Sequence, residues 1–314
     1  MQLVLVGGAQ RSGTTLLQTL LVNGLSSSPL LPEAHILCDV LAGYKRSKLL
    51  WNKTSRFYSN ESQLSDFYRT FAAQHIHDIG VKYPHADYIV LKDPHLAGLI
   101  SEARSLLQDI RFIVIVRDPR DIVASYIKIG KREALLGIES HYTKRNIRFI
   151  CCKINDSYSA LSASNLQHVT LVRYEHLVTD PSETLTTLAL EADLNFRLDR
   201  MDDPTWLDEE IRHRDAWVTE LEENTPVPSN IGTFRHLLTD NEIAVVERVC
   251  GDLMERFHYP RVAKPGPIRA LTMTAKTAVA RAASKAKITR EALVGVRSLV
   301  RLGVRRRDAD RSEE

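Results

Sequence analysis

Short runs of apolar residues alternate along this chain with longer segments whose apolar positions recur every three or four residues. Leu3-Val4-Leu5-Val6 is one such run. It meets Gly7-Gly8 and reads as a buried strand closing on a turn. From Thr14 onward Leu16, Leu17, Leu20 and Leu21 fall on one face at helical spacing. Tyr88-Ile89-Val90-Leu91 predicts a second strand and Phe112-Ile113-Val114-Ile115-Val116 a third, with a helix over residues 95–108 between them. Residues 168–172 predict a fourth strand. Asp118-Pro119-Arg120-Asp121 has the order of a helix start. An Asp caps, Pro takes the first helical position, and a second acid meets the positive end. Asp180-Pro181-Ser182-Glu183 and Thr239-Asp240-Asn241-Glu242 are starts of the capping-box kind.

Strands that are apolar throughout, without alternation, are covered on both faces, and such strands alternating with helices belong to parallel sheets. The expected fold class is therefore α/β, a P-loop-type parallel sheet flanked by helices. Residues 1–260 read as one domain with a helical insert near residues 35–80, followed over residues 261–314 by a basic helical tail.

Charge reinforces that division. The 314 residues carry 42 Lys/Arg against 39 Asp/Glu, a formal net charge of +3. Residues 261–314 hold 14 Lys/Arg against 5 Asp/Glu, a net of +9, which leaves 28 against 34, a net of −6, in residues 1–260. In the tail, Leu293, Val296, Val300 and Val304 share one helical face, with Arg290, Arg297, Arg301 and Arg305 beside it. Two readings of the tail stand side by side: peripheral contact with an anionic membrane, or docking on the acidic domain. It has no stacking aromatic and no recognisable module, which argues against nucleic acid. The acidic stretch over residues 199–224 reads as a solvated face.

An apolar content of 44% excludes a disordered chain. No apolar run approaches the roughly 18–20 residues that span a bilayer. The first strand begins almost at Met1, leaving no room for a secretory signal. Four cysteines without a C-x-x-C pair indicate neither a disulfide framework nor a zinc site. A cytoplasmic setting, with peripheral membrane contact as an option, is the expectation. His75-Ile76-His77-Asp78 has a ligand-like look, but on a polar segment it reads as surface, so no metal is expected.

Candidate chemistry begins after the first strand. Gly8-Ala9-Gln10-Arg11-Ser12-Gly13-Thr14-Thr15 follows a strand and opens a helix. Glycines let such a loop curl, its N–H groups turn inward, and the helix terminus adds positive potential, which together cradle phosphate. The Gly8–Gly13 spacing matches G-x-x-x-x-G-K-[ST], but Thr14 stands where that motif has Lys. This argues against an ordinary ATPase or kinase, and Arg11 supplies a cation elsewhere in the loop.

The loop resembles that of the sulfotransferases that use 3′-phosphoadenylyl sulfate (PAPS), in which R-S-G-T-T-L-L holds the 5′-phosphosulfate. The resemblance implies donor contacts for Gly8, Arg11, Ser12, Gly13, Thr14 and Thr15. Arg117, at the end of the third strand, and Ser125, eight residues on, are similar to the family's second motif, which implies contact with the donor's 3′-phosphate. Leu91-Lys92-Asp93-Pro94 resembles the N-K-D-P segment of the tyrosylprotein branch, which implies that Lys92 meets the reacting sulfuryl group. Two residues after this Lys, where a small-molecule branch carries a base His, the chain has Pro94. Glu33, 22 residues after Arg11, stands near the position of the tyrosylprotein branch's base Glu. It reads either as that base or as an acid preceding a helix. Val172-Arg173-Tyr174-Glu175-His176-Leu177 is similar to V-x-Y-E-x-L, which sets Tyr174 beside the donor nucleotide or in plain packing. Residues 228–235 resemble the late G-x-W-R segment, with Phe234 in place of Trp and with Ser229 and Arg235 as donor-side candidates.

The resemblance, over residues 3–258, implies a PAPS-dependent sulfotransferase closest to the tyrosylprotein branch. Its catalytic set is Arg11, Glu33 and Lys92. Its co-substrate is PAPS, and its acceptor is a protein tyrosine or a glycan, lipid or small-molecule hydroxyl. The alternatives are a kinase-like P-loop NTP-binding enzyme and a non-catalytic nucleotide-binding membrane adaptor.

Overall fold

The computed structural model describes residues 1–161, 166–200 and 228–263. Its centre is a sheet of four parallel strands: β1 (Gln2–Gly8), β2 (Tyr88–Lys92), β3 (Ile110–Val116) and β4 (Thr170–Arg173). They lie in the order β2-β1-β3-β4. Val6 sits opposite Lys92, Gly8 opposite Ile115, and Val116 opposite Arg173. All four strands therefore deliver their carboxyl ends to one edge of the sheet.

The helices follow in chain order. Between β1 and β2 come α1 (Thr14–Gly24), α2 (His35–Leu49), the single turn α3 (Trp51–Thr54) and α4 (Glu61–Lys82). After β2 comes α5 (Ile100–Leu106), and after β3 come α6 (Pro119–Leu135) and α7 (Ile147–Ser157). Beyond β4 lie α8 (Tyr174–Thr179), α9 (Pro181–Glu191), the short α10 (Phe234–Leu237), α11 (Asp240–Val249) and α12 (Gly251–Arg256).

Two cores explain why the strands are apolar throughout. Leu3, Leu5, Ile89, Leu91, Phe112 and Val114 face one way, into a cluster with Leu37 and Leu41 of α2, Ile150 of α7 and Val246 of α11. Val4, Val6, Val90, Ile113 and Ile115 face the other way, against Leu16, Leu17, Leu20 and Leu21 of α1. Because the side-chain period of a strand is two, each strand must be apolar at every position when both faces are covered.

The capping signals act as read. Asp118 accepts from the Arg120 N–H at 2.9 Å, and Asp180 from the Glu183 N–H at 3.0 Å. Thr239 and Glu242 close a full capping box on α11. The helix expected over residues 95–108 is broken instead. Residues Pro94–Gly98 form a 3-10 turn capped by Asp93, and α5 starts only at Ile100. Lys45 takes the Gly98 carbonyl at 2.7 Å, so that oxygen is spent on a side chain at the break between the two elements.

All four cysteines are buried and unbridged. Among the described residues no helix is long and apolar enough to cross a membrane. Most of the basic tail expected over residues 261–314, and of the acidic stretch over residues 199–224, lies outside the described residues.

Candidate active site

The loop after β1 is built around two residues with left-handed backbone. Arg11 has φ 71° and Gly13 φ 99°. Such a conformation is ordinary for Gly and uncommon for Arg. A Cβ at Gly13 would stand 2.6 Å from the ring of Tyr174, so only Gly fits between the loop and α8. A Cβ at Gly8 would meet the Ser12 hydroxyl at 2.6 Å and the Ile115 carbonyl at 2.8 Å. The two glycines thus let the loop lie flat on β3 and α8. Within it the Ser12 N–H returns to the Ala9 carbonyl at 3.0 Å, and Leu17 makes the first helical bond, to Gly13. Gly13 supplies no side-chain cap. The leading N–H groups of α1 therefore point out of the sheet's carboxyl edge, where helix termini favour anions. Ser12 and Thr14 are buried beneath the loop, whereas Thr15 is exposed.

Arg117 leaves the end of β3 beside this loop. It donates to the Arg11 carbonyl at 3.0 Å and to the Asn230 carbonyl at 2.9 Å. Its guanidinium lies 4.0 Å over the ring of Tyr174. The buried Nε of Arg117 has no hydrogen-bond partner among the described residues. Ser125, one and a half turns into α6, accepts from the Arg11 Nε at 3.1 Å. Two motifs more than a hundred residues apart in sequence are thus joined side chain to side chain.

Lys92 ends β2 on the other side of β1. Its ammonium donates to the Glu33 carboxylate at 2.8 Å, with the Lys side chain 7% exposed and the Glu 55%. The Ala34 N–H binds the Lys92 carbonyl at 2.9 Å, which fixes Glu33 beside the strand. Glu33 is therefore held by Lys92 through Oε1 while much of its carboxylate stands open to solvent. His95 is exposed, and its N–H is held by Asp93.

Residues 228–235 reach the site through the main chain. The Asn230 carbonyl meets Arg117, while Asp121 gathers the Gly232 N–H at 2.8 Å, the Thr233 hydroxyl at 3.1 Å and the Phe234 N–H at 3.0 Å. Burial pushes the Asp121 carboxyl above its ordinary range, against the pull of Arg117 and these N–H donors. Ser229 is exposed beside Asn230, and Arg235 is exposed with its guanidinium 5.0 Å from the Phe234 ring. Neither bonds to the loop among the described residues, and the contact of this segment with Arg117 runs through the Asn230 carbonyl.

Four supporting residues, Glu175, Gln10, Lys153 and Tyr158, were not singled out from sequence. Glu175 accepts from the Asp118 N–H and from the Tyr259 hydroxyl, both at 2.9 Å, and so fixes the turn after Arg117. Burial and the Glu175 charge push the Tyr259 phenol up. Gln10 accepts from Tyr126 at 2.9 Å and from Lys153 at 3.3 Å, bracing the loop from behind. Tyr158, fully buried, donates to the Ile115 carbonyl at 2.9 Å, and burial pushes its phenol up to about 12. The signal for Glu175 was present in its place directly after Tyr174; for Gln10, Lys153 and Tyr158 no local motif exists.

Among the described residues no group of three or more His, Cys, Asp or Glu side chains stands together as metal ligands. Asp78 of the H-x-H-D stretch accepts instead from Gln74 at 2.7 Å.

A strand–loop–helix opening at the carboxyl edge of a parallel sheet, ringed by Arg11, Lys92 and Arg117, defines a protein that handles phosphate or sulfate groups. The particular family follows from comparison: the chain belongs to the sulfotransferase family, whose model matches residues 4–197. Two solved structures share the architecture at 19% identity. One is the sulfotransferase domain from the curacin biosynthetic pathway, covering 80% of this chain and 97% of that one with a TM-score of 0.52. The other is the sulfotransferase domain from the Synechococcus PCC 7002 olefin synthase, covering 82% and 94% with a TM-score of 0.54. The two structures bear on the fold and the family model on the family; neither bears on a branch within it. No curated protein matches the chain.

Proposed function

We propose that the protein transfers a sulfuryl group from PAPS to an acceptor hydroxyl. The observation that carries this reading is the 2.8 Å Lys92–Glu33 pair at the sheet edge that also holds the Arg11 loop and Arg117. A cation able to meet sulfuryl oxygens and a carboxylate able to take a proton stand together beside an anion-binding loop.

The residues suit the donor. The leading N–H groups of α1, which Gly13 leaves without a side-chain cap, and the partnerless Nε of Arg117 offer donor capacity for a multiply charged nucleotide. The loop N–H groups and Arg11 are assigned to the 5′-phosphosulfate, and Arg117 with Ser125 to the 3′-phosphate. When bound, PAPS supplies the activated sulfuryl group. The chain's part is positioning and charge stabilisation, as in phosphoryl transfer. Arg11 and the start of α1 offset the negative charge that grows on the leaving phosphate. Lys92 orients the sulfuryl oxygens. Glu33, held by Lys92 through Oε1 and open on its other side, accepts the acceptor's proton. A phenol, with a pKa of about 10, asks less of this carboxylate than an aliphatic alcohol does. This fits the tyrosylprotein-like resemblance, and glycan, lipid and small-molecule hydroxyls are the competing acceptors.

The test is transfer from sulfur-labelled PAPS to a cell extract, with the labelled product identified, alongside thermal shift with PAP against ADP plus magnesium. Stabilisation by PAP and label on a hydroxyl are expected. Stabilisation by ADP and magnesium alone would turn the reading to a kinase-like enzyme. Binding of PAP with no transfer to any acceptor would turn it to a non-catalytic nucleotide-binding protein. Glu33→Gln is expected to lower kcat by at least about a hundredfold with donor affinity kept; a near-normal kcat removes Glu33 as base.

A further inference from the structure

The helical insert ends in a tip that has no core of its own. Between Tyr44 and Leu64, which are buried, every residue is exposed or only half-buried. A tip of this kind is normally polar. This one carries Leu49 at 77% exposure and Phe57 at 85%, with exposed Leu50 and half-buried Trp51 between them. The apolar surface continues onto α4, where the exposed rings of Phe67 and Phe71 pack at 4.9 Å and Tyr58 meets Phe67 at 6.0 Å.

Charge over residues 40–60 is cationic, and two exposed acids, Glu61 and Asp66, follow on α4. Residues 40–60 contain five Lys/Arg and no Asp or Glu, inside a domain whose net charge is −6. Lys45 is turned inward, onto the Gly98 carbonyl. Arg46, Lys48, Lys53 and Arg56 are exposed around the apolar residues. The tip is also braced. Thr54 donates to the Ser47 carbonyl at 3.0 Å, the Ser47 hydroxyl meets the Tyr68 hydroxyl at 2.9 Å, and Asn60 caps α4 through the Gln63 N–H at 3.0 Å.

We infer that this tip docks the protein on an anionic lipid surface, with Leu49, Leu50 and Phe57 entering the headgroup region and Arg46, Lys48, Lys53 and Arg56 meeting the lipid charges. Exposed apolar and aromatic side chains among cations on a braced turn are what an interface between water and hydrocarbon selects. A partner protein would call for a broad complementary face, whereas the most exposed apolar side chains here, Leu49 and Phe57, lie within one short segment among cations. The excess of cations around Leu49, Leu50 and Phe57 favours an anionic ligand there. The 15 residues of α2 separate this tip from Glu33 by roughly 22 Å, so docking leaves the carboxyl edge of the sheet open. Membrane contact is thereby placed on the helical insert, separately from the basic residues 261–314.

The experiment is flotation of the full chain with vesicles of phosphatidylcholine containing about 30% phosphatidylserine, against phosphatidylcholine alone. Binding to the anionic vesicles is expected, weakening as salt rises. Lys53→Gln with Arg56→Gln should lower the partition coefficient about thirtyfold, and Phe57→Ser on the order of tenfold. Folding and sulfuryl transfer to a soluble acceptor should be unchanged in all of these variants. Brominated lipid should quench the wild type more than Trp51→Phe. Full binding by both tip variants would assign any membrane contact to residues 261–314 and overturn the inference, as would wild-type chain that ignores anionic vesicles. Equal quenching with and without Trp51 would overturn the insertion of the tip.

Discussion

Arg117 and Arg120 are three residues apart, both buried, and put to opposite uses. Arg120 faces Asp118 at 2.6 Å and Glu247 at 2.7 Å, and gives a further bond to the Pro260 carbonyl. Burial works against its charge, and the two carboxylates outweigh that, so its pKa rises. Glu247 in turn accepts from Val262 and Ala263, which ties the end of the described chain to α6. Arg117 hydrogen-bonds only to carbonyl oxygens among the described residues, stacks on Tyr174, and keeps an unused Nε. The closed site has paired its charge inside the protein and serves stability. At the open site the arginine has no hydrogen-bonded carboxylate, and Asp121 acts on it only through space, which is why its charge is proposed to meet the anionic donor. Lys92 belongs with the open group, since its partner Glu33 is half in water.

The contrast breaks most sharply at the open edge. Lys92→Ala and Arg11→Ala should each lower kcat by about a thousandfold or more while thermal unfolding stays near wild type. Retained turnover in either purified variant would end the assignment. Glu247→Ala should act the other way. It leaves Arg120 short of a carboxylate and is expected to cost about 3–5 kcal/mol in chemical denaturation, with near-normal turnover per folded molecule. A smaller effect tests Arg117: its replacement by Ala should weaken PAP binding about tenfold to a hundredfold in calorimetry, with little change in Tm. Equal PAP affinity would place the 3′-phosphate elsewhere.

The smallest effect concerns a surface carboxylate outside both groups. Burial alone would raise the Glu242 pKa, but Arg145 and the Thr239 N–H hold it below the ordinary range. An acid depressed in the folded state adds stability above its unfolded pKa and loses it as pH falls through its folded value. Glu242→Gln should therefore cost about 1 kcal/mol at neutral pH, and its difference from wild type should shrink as the solution is acidified below about pH 4.

Much of the fold could be read because its signals are local. All four strands, the caps at Asp118, Asp180 and Thr239, and the strand–loop–helix at Gly8–Thr15 depend on neighbours within a few residues. The break at Gly98 was not legible as a break, and there the Gly98 carbonyl is taken by Lys45 from a different helix. Likewise Asp121, read only as a charge favouring α6, turned out to hold the Gly232–Phe234 segment. The site shows a similar division. Arg11, Lys92 and Arg117 were legible as strand-end and loop cations, while Glu175, Gln10, Lys153 and Tyr158 were not.

By itself, the sequence determined the family, the parallel sheet and the types of residue at each strand end, because periodicity and motif spacing are properties of the chain. The tertiary structure alone decided which charges are spent and which remain. That Lys92 meets Glu33, that Arg11 meets Ser125, and that Arg120 is hydrogen-bonded to Glu247 while Arg117 is hydrogen-bonded to the Arg11 carbonyl depend on groups brought together across tens to more than a hundred residues. A charge in low dielectric takes its meaning from what lies within a few ångströms of it, and linear sequence does not carry that distance.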